Sequence, residues 1–100
     1  MNETQKTISE WATQTFGVPE NLDPIVDRFL EEVDELASST ASVLTLEELQ
    51  SECADCLIVL YQVAQTGGFD LHEAVNNKMQ INRSRKWDTK GDGVGQHIED

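Results

Sequence analysis

The segment from Thr45 to Thr66 constrains the fold most, because a helix over these residues is apolar on nearly every face. Thr45-Leu46-Glu47-Glu48 matches a capping box at its start, and Gly67-Gly68 ends it. The apolar side chains form one stripe and also occupy the faces around it: Leu49, Cys53, Cys56 and Leu60, then Ala54, Ile58 and Tyr61. A helix buried on several sides needs more partners than three short neighbours easily supply. We therefore predict a helical bundle that a second copy of the chain completes.

Three further segments have the apolar spacing of helices, so the predicted fold is all-α. Residues 3–16 form the first helix, and Asp23-Pro24 begins the second, with Asp23 as the N-cap. The second helix fades in a polar linker, residues 38–42. Asp70 caps a fourth helix that continues to about Trp87. We predict a four-helix domain over residues 1–87, completed by homodimerisation, and an irregular tail over residues 88–100.

Charge is unevenly distributed in this chain of 100 residues with a net charge of −12. Five of its seven basic residues lie between positions 78 and 90, where Asp88 is the only acid, so that segment carries +4. An acidic surface argues against duplex DNA or an anionic membrane as partner, whereas a local basic cluster suits a small polyanion. The first residues do not resemble a signal peptide, and the longest apolar run, residues 56–61, is too short to span a bilayer. We expect a cytoplasmic protein with free thiols.

Two pairs of acidic residues have i,i+3 spacing, Glu32 with Glu35 and Glu52 with Asp55. On helices that pack antiparallel, each pair projects from one face and the four carboxylates converge. Acidic runs are usually solvated helix faces, but Asp55 lies among apolar residues and its neighbouring turns offer no Lys or Arg. Converging carboxylates require a cation, and oxygen ligands favour Mg²⁺, Mn²⁺ or Ca²⁺. The pattern predicts a metal site.

The order Glu31-Glu32-x-x-Glu35, a spacer, then Glu52-x-x-Asp55 resembles the signature of the MazG-like all-α nucleoside triphosphate pyrophosphohydrolases. The resemblance covers roughly residues 24–87, and Asn82-Arg83-x-Arg85-x-Trp87 is similar to a phage and bacterial MazG-related subgroup. It implies a MazG-like bundle, a homodimer or homotetramer, and Mg²⁺-dependent hydrolysis of a nucleoside triphosphate to the monophosphate and pyrophosphate. A deoxynucleotide is the expected substrate, and Mn²⁺ is an expected substitute for Mg²⁺.

The resemblance also assigns roles to individual residues. It implies that Glu32, Glu35, Glu52 and Asp55 hold the metal, and that Glu31 and Glu35 act in catalysis. Glu31 would be a base or a further ligand. In the family a basic helix binds the triphosphate, which assigns phosphate contacts to Lys78, Asn82 and Arg85. These residues share one helical face at i, i+4 and i+7. The alternative is that these cations only compensate the dipole of a helix C-terminus.

Other interpretations remain beside this one. Cys53 and Cys56 form a CxxC in mid-helix, which we interpret as buried free thiols rather than a redox or zinc site. Residues 88–99 imitate a calcium loop, but the wrong residue types at two positions exclude it. Three aromatic residues are expected in core or dimer packing, with a stacking wall for a base as the alternative, namely Trp11, Phe16 and Phe29. His97 would cap the tail or reach substrate. A non-catalytic acidic helical dimer, acting as an adaptor or inhibitor, is the alternative function; in it Glu52 and Asp55 are dispensable.

Overall fold

The computed structural model of the protein describes residues 2–40 and 45–98, although the side chains of residues 39 and 40 are not included. Four helices account for most of this part of the chain: α1 (Gln5–Phe16), α2 (Asp23–Thr40), α3 (Leu46–Gly67) and α4 (Leu71–Ser84). Two short strands follow, β1 (Trp87–Thr89) and β2 (Gly95–His97). The all-α prediction is confirmed. None of the helices among the described residues is long and apolar enough to cross a membrane.

Local side-chain chemistry sets the helix ends. The hydroxyl of Thr45 accepts the Glu48 backbone N–H of α3 at 3.1 Å, and Asp70 accepts the Glu73 N–H of α4 at 2.8 Å. Gly68 ends α3 in the left-handed conformation with φ +80°, which a glycine adopts without strain. These three ends lie where the sequence predicts them.

The start and end of α2 differ from the prediction. The Val26 N–H donates to the Leu22 carbonyl at 2.9 Å, so Leu22 rather than Asp23 occupies the cap. Asn21 explains the shift, because its side-chain oxygen accepts the Asp23 N–H at 2.9 Å and thus satisfies a donor of the first turn. At the other end, α2 continues to Thr40, so the first part of the predicted linker at residues 38–42 is helical. The rest of that linker lies outside the described residues.

Helix α3 is the centre of the fold and packs against both α1 and α2, with a smaller contact to α4. The buried apolar residues are small or medium in size: Ala12, Ile25, Val59 and Ala64. Within the described ranges no large side chain is fully buried, and many apolar ones are exposed on one copy of the chain. This exposed apolar surface favours the predicted homodimer, which stays a prediction.

The side chain of Gln5 ties the start of α1 to the turn between α3 and α4. Its Nε2 donates to the Phe69 carbonyl at 2.8 Å and to Gln65 Oε1 at 3.1 Å. Its Oε1 accepts the Leu71 N–H at 2.8 Å. These three bonds position α1 along α3.

The end of α4 and the tail differ from the prediction. Helix α4 ends at Ser84, and Arg85 is extended with φ −84° and ψ 156°. The following residues form an antiparallel hairpin in which Trp87 lies opposite His97, so the expectation of an irregular tail is wrong for the described residues up to 98. Gly91 and Gly93 have positive φ in the connecting turn. Three-residue strands are too short to produce an alternating pattern, which is why the sequence did not indicate them. The boundary between residues 1–87 and 88–100 stays a prediction.

Candidate metal and substrate site

Helices α2 and α3 bring three carboxylates together at one point. Glu32 of α2 meets Glu52 and Asp55 of α3, and one oxygen from each lies within 4.8 Å of the others. The i,i+3 spacing on α3 places Glu52 and Asp55 on the same face, as the sequence predicts. The structure therefore brings together three of the four predicted metal ligands.

Two oxygens of this cluster lack any partner. Glu32 is only 3% exposed, and both Glu32 Oε2 and Glu52 Oε2 are buried without a hydrogen-bond donor in the described part of the chain. A buried carboxylate oxygen without a donor or a cation is strongly unfavourable. Hard oxygen ligands at this separation suit Mg²⁺ or Mn²⁺. The donor set thus fits a divalent cation.

Arg28, which the sequence analysis did not identify, is the cation of this region. It lies one turn before Glu32 and contacts Glu32 Oε1, while its Nη1 donates to Glu31 Oε2 at 2.9 Å. The i,i+3 and i,i+4 spacing to two acids was the available signal. Burial raises the pKa of Glu32, Arg28 lowers it, and the nearby Glu35 and Asp55 raise it further, so that the net pKa is raised.

Glu35 and Glu31 lie at the edge of the cluster rather than within it. Glu35 is exposed and outside the three-carboxylate group, but it helps to raise the pKa of Glu32. Glu31 is exposed and holds the guanidinium of Arg28. Their assignments as catalytic residues, and that of Glu35 as a ligand, stay predictions.

The predicted phosphate-binding residues do not all lie on one helical face. Lys78 and Asn82 are one turn apart on α4, but Arg85 follows the end of the helix in extended conformation. The argument from i,i+7 spacing is therefore wrong for Arg85. The reason is local: the Asn82 carbonyl accepts both the Arg85 N–H at 3.3 Å and the Trp87 Nε1–H at 2.8 Å, which turns the chain into the hairpin. Phosphate contact by these three residues stays a prediction.

The two cysteines are free, as predicted, but they are not both buried. Cys53 is exposed and Cys56 is half-buried, because the α3 stripe that contains Cys53 is not covered along its whole length in one copy of the chain. Burial raises the pKa of the Cys56 thiol, and the negative charge of Glu32 raises it further.

A cavity of about 480 Å³ extends from the carboxylate cluster between α1, α2 and α3. Glu32, Asp55 and Arg28 line one part of it, and Trp11 and Phe16 line another. The two aromatic rings meet edge to face with centroids 5.3 Å apart. Trp11 is 52% exposed and Phe16 70%, so neither belongs to the core of a single copy, and their packing in a dimer stays a prediction.

The two other candidates from the sequence lie elsewhere. Phe29 is half-buried and does not line the cavity. His97 contacts the Trp87 ring edge to face in the hairpin, with centroids 6.0 Å apart.

Comparison with known proteins agrees with this geometry. Residues 21–87 match the MazG nucleotide pyrophosphohydrolase domain. The chain is 39% identical over 98 residues to a dATP/dGTP diphosphohydrolase of Salmonella phage PMBT28, covering 98% of this chain and 31% of the relative. It is 36% identical over 73 residues to a dATP/dGTP diphosphohydrolase of Cyanophage S-2L, covering 73% of this chain and 65% of the relative. The chain thus spans less than two thirds of the length of each.

A solved structure is also similar in fold. It is the Cyanophage S-2L MazG-like pyrophosphohydrolase bound to dGDP and three catalytic Mn²⁺ ions per active site. The TM-score is 0.76 at 29% sequence identity, over 96% of this chain and 90% of the other.

Proposed function

Because the chain belongs to the family of MazG nucleotide pyrophosphohydrolase domains, we propose that it hydrolyses a purine deoxynucleoside triphosphate to the monophosphate and pyrophosphate. The relatives named for dATP and dGTP support this substrate class. The observation that carries the proposal is the pair of buried, unpartnered carboxylate oxygens on Glu32 and Glu52, within a cluster that suits a divalent cation. Mg²⁺ is the proposed physiological ion and Mn²⁺ a substitute.

The residues of the chain would divide the work as follows. Glu32, Glu52 and Asp55 would hold the divalent ions, which would supply Lewis-acid polarisation of the phosphate and activation of water. Arg28 contacts one oxygen of Glu32 and leaves the other available to the cluster. Glu35, exposed beside Glu32, accepts a proton from the attacking water. The water oxygen bonds to the α-phosphorus, the bond from that phosphorus to the bridging oxygen breaks, and pyrophosphate leaves.

The remaining predicted residues act on the charges of the phosphate groups and of Arg28. Lys78 and Arg85 neutralise the leaving pyrophosphate, Asn82 donates to a phosphate oxygen, and Glu31 keeps the guanidinium of Arg28 in place. Attack by water needs no covalent nucleophile.

We further propose that the working form is a homodimer, because a single copy leaves large apolar residues of α3 and α4 in water. Light scattering after size-exclusion chromatography tests this assembly directly. A monomer at micromolar concentration would contradict it.

The activity is tested by incubating the protein with each common dNTP and NTP in Mg²⁺ or Mn²⁺ and separating the products by chromatography. Glu52→Gln/Asp55→Asn is compared with Glu47→Gln/Glu48→Gln, which changes two exposed acids of the same helix outside the cluster. We expect monophosphate and pyrophosphate from dATP and dGTP with the wild type and the control. The cluster variant should lose about a hundredfold or more.

Two results would contradict the proposal in different ways. Diphosphate and phosphate as products would place cleavage at the wrong phosphorus. No turnover of any nucleotide, together with thermal stability that does not respond to either ion, would favour the non-catalytic adaptor.

A further inference from the structure

Ser9 has a buried hydroxyl that nothing in the fold uses. The residue is 8% exposed, and its Oγ has no hydrogen-bond partner among the described residues. A serine inside a helix usually donates to the carbonyl four residues before it, but Ser9 Oγ makes no such bond. Ser9 also lines the cavity that begins at the carboxylate cluster. A buried hydroxyl without a partner is unfavourable, and a ligand in the cavity would satisfy it once the serine side chain rotates toward the opening.

Gln65 lines the same cavity, and its amide orientation is fixed by the backbone through Gln5. The Leu71 N–H can only donate, so the Gln5 atom that it contacts is Oε1. Gln5 therefore presents Nε2 to the Phe69 carbonyl and to Gln65, which must accept through Oε1. The amide nitrogen of Gln65 remains available as a donor.

We propose that Ser9 and Gln65 recognise the polar edge of a purine base in this cavity. This inference rests on the proposed function and explains why the protein would prefer purine nucleotides. Adenine and guanine both carry an acceptor at N7, which pyrimidines lack, and the Gln65 amide donates to it. Beside N7, guanine has an acceptor at O6 and adenine a donor at N6. A hydroxyl rotates to donate or accept, so Ser9 pairs with either purine.

The remaining walls suit this occupant. The cavity of about 480 Å³ lies within the range of small-molecule sites, and its lining also includes Ile58, Val59 and Trp11. Trp11 provides an exposed indole for the flat face of a base. Glu32 and Asp55 line the same cavity and belong to the carboxylate cluster that would hold the metal in the proposed function.

The test compares Ser9→Ala with Ser38→Ala, which changes an exposed serine of α2 outside the cavity. The values of kcat/KM are measured for dATP, dGTP, dCTP, the two 7-deaza purine triphosphates and a base-free deoxyribose triphosphate. Binding of dGMP and of pyrophosphate is measured separately by calorimetry. The wild type should prefer both purines and lose about tenfold on each 7-deaza substrate. Ser9→Ala should lose about tenfold on dATP, dGTP and dGMP binding, with the base-free substrate and pyrophosphate unchanged.

The outcomes separate this inference from the proposed function. If dGMP binds and Ser9→Ala weakens that binding although no triphosphate is hydrolysed, the base site stands and the proposed function fails. Equal losses on the base-free and the purine substrates would show a structural role for Ser9 and overturn the inference. Unchanged purine preference in Ser9→Ala, or full activity of the wild type on 7-deaza substrates, would also overturn it. Loss of an unpartnered buried hydroxyl should leave the melting temperature unchanged or higher, which distinguishes recognition from packing.

Discussion

Replacing Glu32 with glutamine should stabilise the metal-free protein while removing its response to metal. Two unit charges 4.8 Å apart repel by about 3.5 kcal/mol at an effective dielectric constant of about 20, and by about 0.9 kcal/mol in bulk water. Glu32 has two such neighbours, Glu52 and Asp55, and the lost attraction to the half-exposed Arg28 offsets part of the gain. A net stabilisation of about 1–3 kcal/mol follows, which raises the melting temperature by about 5 °C or more in a domain of this size.

The assay is thermal unfolding by circular dichroism at pH 8, first in EDTA and then in increasing Mn²⁺. The wild type should melt at a higher temperature with Mn²⁺ because the ion binds only the folded state, and Glu32→Gln should gain little. Asp34→Asn, an exposed carboxylate of the same helix, is the matched control and should change stability by less than about 0.5 kcal/mol in either condition. A lower melting temperature for Glu32→Gln in EDTA, with a normal Mn²⁺ response, would refute the reasoning.

The same variant should alter how stability depends on pH, and three other substitutions or probes test separate parts of the structure. Because burial raises the pKa of Glu32, the metal-free folded state keeps a proton that the unfolded state releases. Binding of this proton stabilises the folded state fully at a pH below the ordinary pKa of a glutamate. The stabilisation is lost as the pH rises through the raised pKa of Glu32. Melting curves in EDTA should therefore show the advantage of Glu32→Gln growing with pH, and a constant difference would contradict this. Gln5→Leu removes three hydrogen bonds and should lower the free energy of unfolding by about 1–2 kcal/mol in urea titrations. An unchanged urea concentration at the unfolding midpoint would mean that other contacts hold α1 in place. Gly68→Ala forces a side chain into the left-handed region and should lower the free energy of unfolding by about 1 kcal/mol in the same titrations. Gly68→Asn should lower it by less. Equal stability of the wild type and both variants would exclude backbone strain as the cause. In the monomeric protein, an aromatic disulfide reagent should modify the exposed Cys53 before Cys56, whose raised pKa leaves less thiolate. The reverse order by mass spectrometry would contradict the assigned burial.

The sequence predicted those features that depend on neighbours along the chain. Thr45, Asp70 and Gly68 act within one turn of their own helix, so their types and positions suffice to identify the ends. Asp55 was identifiable because a carboxylate among apolar residues conflicts with the pattern around it, although it is exposed in the single chain. Glu52 was identifiable because it shares the helical face of Asp55.

Features that depend on contacts between segments were not predictable in this way. Arg28 is a different case, because its contacts to Glu31 and Glu32 lie within α2 and their i,i+3 and i,i+4 spacing is visible in the sequence. Ser9 gave no signal, because a serine on a helix is common and only the packing of α1 on α3 makes its hydroxyl buried. The end of α4 depends on the Trp87 indole reaching the Asn82 carbonyl, a contact that composition does not reveal.

The basic residues that form one cluster in the sequence belong to two different structural elements, α4 and the connection that follows it. Lys78 lies within α4, whereas Arg85 belongs to the connection between α4 and the hairpin. That connection is fastened by the indole bond of Trp87 to Asn82 and by the Ile98 N–H to the Lys86 carbonyl at 2.8 Å. Unfolding the hairpin would release Arg85 and leave Lys78 in place. The hairpin therefore fixes the backbone next to Arg85, whereas Lys78 is positioned by α4.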